Sequence, residues 1–162
     1  MPSTATKILE AGAVFPDFDL EGSDGKRHAR KTVAGRRFVL FFYPKDQTPG
    51  CTREACDFTA SRAAFRKAGA EVFGVSGGTR EAKERFAQSS EIEIPLLADA
   101  DLALAKACGV YGEKKNYGKT YLGLFRTTFL VSADGKIERV WKNVKVDGHA
   151  ADVLAVVRAG AK

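Results

Sequence analysis

The chain predicts an α/β fold with a central mixed β-sheet flanked by helices and an N-terminal β-hairpin. Three observations predict it. One is the continuous apolar run "RFVLFFY" at 37–43, bounded by Gly35 and Pro44, the pattern of a strand buried on both faces. The second is the alternation of such runs with helical periodicity, which requires parallel strands with helices covering both sheet faces. The third is "TTFLVSADGKIERVW" at 127–141, two strands around Asp134-Gly135, a strong hairpin signal that supplies an antiparallel edge.

The elements follow in order. "FPDFDLEGSDGKRHA" reads as a small hairpin turning at Asp24-Gly25. After the 37–43 strand, "CTREACDFTASRAAFRKAG" (51–69) places Ala55, Phe58 and Phe65 at helical spacing, and Gly69 is a natural stop. "AEVFGVS" (70–76) is the next strand, and Thr79 to Gln88 the next helix, with Ala82 and Phe86 four apart. "IPLLAD" (94–99) is a short strand, and a small helix runs from Asp101 to about Cys108. "HAADVLAVVRAG" (149–160) is an amphipathic last helix with Val153, Val156 and Val157 on one side. The succession, β-hairpin, βαβα(β)α, β-hairpin, α, is that of a thioredoxin-like α/β sandwich. With 162 residues, no internal repeat and no low-complexity linker, one domain spanning 1–162 is expected.

Composition narrows the function classes. Hydrophobic residues make up 44% and charged residues 28%, as in an ordinary globular domain. No apolar run approaches the roughly 18 residues that span a bilayer, and the N-terminus lacks the basic start and apolar core of a secretory signal. No membrane association and a cytoplasmic location are therefore expected. The net charge is +6, but the basic residues are scattered and no nucleic-acid motif accompanies them. Three cysteines and two histidines exclude a disulfide scaffold, and His28 and His149 lie far from the cysteine pair, so a four-ligand zinc site is not expected.

The chemistry-bearing stretch is "FYPKDQTPGCTREACDF", 42–58. Pro44 ends a strand, Pro49 fixes one φ and Gly50 permits unusual backbone conformations. Cys51 then falls in the first turn of a helix. Free N–H groups and the helix dipole favour an anion there, and the thiolate is the reactive form of cysteine. Lys45 and Arg53 assist that effect, while Asp46 and Glu54 oppose it. Cys56 lies five positions on. On an ideal helix that spacing separates Cα atoms by roughly 8–9 Å, whereas a disulfide rarely tolerates more than about 7 Å. If the two sulfurs react, the first turn or two must unwind. The alternative is that both are small buried hydrophobes. The spacing is not C-x-x-C, so a thioredoxin dithiol mechanism is not written here.

"PKDQTPGC" (44–51) matches the P-x-x-x-T-x-x-C pattern of peroxiredoxins, and "CTREAC" resembles the bacterioferritin-comigratory, or PrxQ, subfamily. "GEKKNYGKTYLGLFRTTFLVSADGKIERVWKNVKVDGHA" resembles the C-terminal half of that subfamily, so the likeness covers nearly the whole chain. It departs at "GVSGGTREAKERFA", which lacks the usual Ser-x-Asp turn, and at Tyr111, where Trp is common. The resemblance implies a monomeric thiol peroxidase that reduces hydrogen peroxide and organic hydroperoxides without metal, haem or flavin. Cys51 would be the peroxidatic residue and Cys56 the resolving one. The Thr48 hydroxyl, the backbone N–H groups near Gly50 and Cys51, and Arg126 would stabilise charge on the peroxide oxygens. Pro44 would shield the site and Glu54 would orient neighbouring arginines. A thioredoxin-type dithiol would reduce the resulting disulfide.

Other features carry less. "GVSGG" (74–78) lacks the spacing of a nucleotide-binding loop and reads as a turn. Cys108 reads as core, and His149 as the start of the last helix. Tyr111, Tyr117, Tyr121 and Phe125 decorate a Gly/Lys-rich loop, as a partner surface or a roof on the domain. Two rivals from other classes stand beside the peroxidase: a redox-switched binding protein, and a basic nucleic-acid-binding module on the same scaffold.

Overall fold

The computed structural model describes residues 7–116 and 118–160; Tyr117 lies outside them. The chain runs β1 (Asp19–Gly22), β2 (Arg27–Ala29), β3 (Arg37–Phe42), α1 (Pro49–Ala60), α2 (Arg62–Lys67), β4 (Ala70–Ser76), α3 (Arg80–Ser90), β5 (Leu96–Ala98), α4 (Ala103–Cys108), β6 (Tyr111–Asn116), β7 (Lys119–Leu124), β8 (Thr127–Val131), β9 (Ile137–Trp141) and α5 (His149–Gly160). Seven strands form one sheet in the order β2-β1-β5-β4-β3-β8-β9. The β3, β4 and β5 strands are parallel, and antiparallel pairs complete both edges. The mixed α/β architecture expected from the sequence is the one observed, with the early hairpin turning through Gly25 at φ 79°.

Alternation along "RFVLFFY" sorts the core into two layers. Val39, Phe41 and Tyr43 pack with Phe58, Phe65, Val153 and Val157, beneath α1, α2 and α5. Phe38, Leu40 and Phe42 pack on the opposite face with Phe15, Phe73, Leu104 and Cys108. Gly74 faces Phe41 in the β3–β4 register. A Cβ there would stand 2.8 Å from the Phe41 ring and 2.9 Å from Leu96, so only glycine lets β4 pass at this point.

Two expectations are corrected. The helix expected over 51–69 is broken: Ser61 sits at φ −97°, ψ 4°, and its N–H bonds the carbonyls of Asp57 and Phe58. The break lets α2 turn so that Phe65 packs against Phe58, centroids 5.8 Å apart. The Gly/Lys-rich loop is instead a second, two-stranded sheet, β6–β7, paired from Tyr111–Leu124 to Asn116–Lys119. The residues of β7 are mostly exposed and those of β6 are largely polar, so no apolar alternation marked it as paired strands. Among the described residues no helix is long and apolar enough to cross a membrane.

His149 starts α5, as expected, and is buried between the sheet and α1. Its Nε2 lies 2.8 Å from Thr128 Oγ1, and its ring meets Phe58 and Trp141 edge-on. Burial holds its pKa down, to about 4, against about 6.5 unfolded. The folded state therefore resists a proton that the unfolded state accepts. Stability is retained above pH 6.5 and lost as pH falls toward 4, by about 3 kcal/mol in all. His149→Gln keeps a partner for Thr128. Urea midpoints of this variant are expected to fall less than the parent's between pH 6.5 and 4, and parallel curves would refute the assignment.

Candidate active site

Between β3 and α1 the chain turns through residues 44–48. Tyr43 continues the ladder beyond β3, its N–H donating to the Val75 carbonyl at 3.1 Å. Gln47 takes the left-handed conformation at φ 62°. Thr48 caps α1 with extended backbone, φ −82°, ψ 153°, but its side chain makes no cap bond. Its hydroxyl donates to the Lys45 carbonyl at 2.9 Å. The first amide to reach back into the helix is that of Thr52, at 2.8 Å from the Thr48 carbonyl. The Gly50 and Cys51 N–H groups precede it and have no i−4 carbonyl to bond.

Cys51 is 1% exposed and packs with Tyr43, Ala55 and Phe58. It is not isolated in that apolar setting. Arg126, the residue before β8, brings Nη2 to 3.3 Å from Cys51 Sγ. The other arm, Nη1, donates to Glu54 Oε1 at 2.6 Å. A Cβ at Gly50 would stand 3.4 Å from Nη2, so glycine there leaves the guanidinium room. The fork joins residues 75 positions apart in sequence and sets a fixed cation against the sulfur.

The surroundings adjust the other titratable groups. Glu54 is buried, and its Oε2 has no hydrogen-bond partner among the described residues. Burial pushes its carboxyl up to about 7, the Arg126 contact offsetting only part of that cost. Arg126 itself is held more firmly charged, because Glu54 and Cys51 outweigh its own loss of water. Burial and the Asp46 carboxylate push the Tyr43 phenol up, so it stays neutral. Arg53, expected to assist Cys51, points instead to Asp57 and Asp147.

Cys56 lies in the intact middle of α1, half-buried, with its Sγ 3.6 Å from the Ser90 carbonyl at the end of α3. Burial, Asp57 and Glu91 all raise its pKa, so it rests as a thiol. Cys108 is fully buried in the opposite layer of the core, and burial pushes its thiol far up. The sequence expectation that Cys108 is core agrees with this position.

A cavity of about 410 Å³ opens beside Pro44, walled by Leu102, Tyr111, Leu122 and Leu124, with Lys45 and Asp46 at its polar end. One contributor to the site was not anticipated. Lys114 of β6 donates to the Leu124 carbonyl at 2.8 Å, and burial and then the Arg126 charge lower its pKa. It belongs to the hairpin that had been expected as a loop, where nothing in the sequence singled out one lysine among several.

Residues 11–140 match the AhpC/TSA family. The chain is 43% identical over 155 residues to Peroxiredoxin Bcp of Xanthomonas campestris, covering 96% of this chain and 97% of that protein. It is 40% identical over 146 residues to Peroxiredoxin Bcp of Escherichia coli, covering 90% of this chain and 94% of that one. A solved structure of the Xanthomonas campestris bacterioferritin comigratory protein superposes with a TM-score of 0.85. That match is at 41% identity and covers 96% of this chain and 98% of the other. The structure was described for alkyl peroxide reduction activity, from trapped intermediate and ligand complexes.

Proposed function

The chain belongs to the AhpC/TSA family as a peroxiredoxin of the Bcp kind, a thiol peroxidase, and on that premise we propose that Cys51 is its peroxidatic cysteine and Cys56 its resolving one. The observation that carries the proposal is the 3.3 Å contact of Arg126 Nη2 with Cys51 Sγ at the start of α1. The thiolate attacks the terminal oxygen of a hydroperoxide. The S–O bond forms as the O–O bond breaks, and the departing alkoxide or hydroxide leaves as alcohol or water after taking a proton. Cys51 becomes a sulfenic acid.

In the transition state negative charge spreads over both peroxide oxygens. Arg126 and the Gly50 and Cys51 N–H groups supply the donors. The Thr48 hydroxyl commits its proton to Lys45, which leaves its lone pairs to accept from the hydroperoxide O–H. Glu54 fixes the guanidinium, and Pro44 limits water. Hydrogen peroxide and small organic hydroperoxides are the substrates. The leucine-walled cavity beside Pro44 suits an alkyl group better than water alone.

Resolution requires motion. With α1 intact over Pro49–Ala60, the two Cα atoms stand roughly 8–9 Å apart, beyond disulfide reach. The helix start unwinds, Cys56 attacks the sulfenic acid, water leaves and an intramolecular disulfide forms. A thioredoxin-type dithiol then reduces it by exchange.

Peptide mapping after one equivalent of hydrogen peroxide tests this. A Cys51–Cys56 linked peptide is expected, with a loss of helical far-ultraviolet signal. Cys56→Ser is expected to form the sulfenic acid at the parent's rate and then stop. A Cys51–Cys108 link, or no link, would overturn the assignment of Cys56.

A further inference from the structure

Lys83 of α3 is a charged side chain with no exposure at all, 0%. Its ammonium is fully engaged: Nζ lies 2.9 and 3.1 Å from the two Asp46 carboxylate oxygens and 2.5 Å from the Gly77 carbonyl. It also sits 5.6 Å from the centroid of the Tyr43 ring. Tyr43 in turn donates its hydroxyl to Asp46 Oδ1 at 2.7 Å. Asp46 is thus gripped from two sides, by a strand-end tyrosine and by a helix that starts after the next strand.

Asp46 occupies the middle of the 44–48 turn, between Pro44 and Thr48. That turn includes the left-handed Gln47, a conformation a non-glycine residue adopts reluctantly, so contacts from elsewhere help to hold it. The Asp46 carboxylate also lines the cavity beside Pro44, and Tyr43, which donates to it, belongs to the same core layer as Cys51. A free carboxylate there would repel the thiolate and the charge that develops on peroxide. The charged or titratable groups facing Lys83 are Asp46, Tyr43 and, at longer range, Asp99. Asp99 is already committed to the Leu104 and Ala105 amides at the start of α4.

We infer that Lys83 is a positioning residue for the peroxidase reaction: it neutralises the Asp46 carboxylate on the wall of the cavity beside Pro44. The inference rests on Cys51 being the nucleophile. The ammonium's own burial disfavours its charge, and Asp46 restores part of that loss.

The test is a double-mutant cycle of Lys83→Met and Asp46→Asn, read as the second-order rate of sulfenic acid formation with hydrogen peroxide across pH. Lys83→Met is expected to slow that rate about tenfold at neutral pH and to move its pH profile to higher pH. Adding Asp46→Asn to the same chain is expected to return both to within about threefold of the parent. A merely structural lysine would leave the profile in place, and the second substitution would rescue nothing. Asp46→Asn alone, which leaves an unbalanced ammonium, is expected to move the profile to lower pH, so the inference stays testable if Lys83→Met does not fold. Parent-like profiles in every folded variant would overturn the role of Lys83. A parent chain that forms no sulfenic acid at Cys51 would instead overturn the functional reading beneath it.

Discussion

Cys51→Ser is expected to consume no peroxide above the rate of buffer alone, with the fold intact. Serine is close to cysteine in volume, so the packing of Cys51 with Tyr43, Ala55 and Phe58 survives the exchange. What disappears is an ionisable sulfur. A serine hydroxyl beside Arg126 stays a neutral alcohol, and the attack on the O–O bond has no nucleophile. The measurement is peroxide loss with a dithiol reductant in excess, alongside circular dichroism to verify folding. Either rival reading gives a different outcome. A redox-switched binding protein would show slow peroxide chemistry in the parent already. A nucleic-acid-binding module would retain salt-sensitive binding in the variant. Retained turnover in Cys51→Ser, with Cys56 or Cys108 acting instead, would end the proposed mechanism.

What the sequence disclosed, and what it withheld, follows from the range of the interactions. The strand at 37–43 was legible because Phe38 to Tyr43 are each buried on one face or the other, which leaves an unbroken apolar run. The placement of Cys51 at a helix start was legible because Pro49, Gly50 and the strand before them are local. The break at Ser61 was not, because no glycine or proline marks it and the Phe58–Phe65 contact that goes with it is seen only in three dimensions. The β6–β7 hairpin escaped because strands exposed on both faces carry no alternation, and with it went Lys114.

Arg126 was legible through resemblance alone. Nothing local distinguishes an arginine before a strand, and its contact with Cys51 depends on the sheet order that sets β8 beside β3. Asp46 shows the limit most clearly. Read along the chain, it was a negative charge opposing the thiolate. In three dimensions Lys83, 37 residues on, meets it. A charge cannot be weighed before its partner is known, and the partner sits on another element.

Arg126→Met is expected to slow sulfenic acid formation by about 10²–10³-fold, the usual cost of removing a donor aimed at developing charge in a site shielded from water. Methionine can fill the space of the arginine stem but offers neither arm of the fork. One arm, at 3.3 Å from Cys51 Sγ, is placed to meet the negative charge that shifts from sulfur to peroxide during the reaction. The other, at 2.6 Å from Glu54 Oε1, is what offsets the burial of that carboxyl. Without it Glu54 is driven further toward its neutral form, so the variant loses a cation and its counter-charge together and the fold is spared a bare buried anion. Arg126→Lys is expected to recover only part of the rate, because a point ammonium cannot hold Cys51 and Glu54 in one plane as the guanidinium does. Glu54→Gln separates the two arms: it keeps Arg126 facing the sulfur but weakens its orientation, and a loss of about tenfold is expected, smaller than that of Arg126→Met. Stopped-flow oxidation at a fixed pH, with urea midpoints for each variant, makes the comparison. If Arg126→Met oxidises within about threefold of the parent, far short of the expected loss, the guanidinium is a packing and charge partner of Glu54 alone, and the stabilisation of the peroxide oxygens must come from the amides at the start of α1.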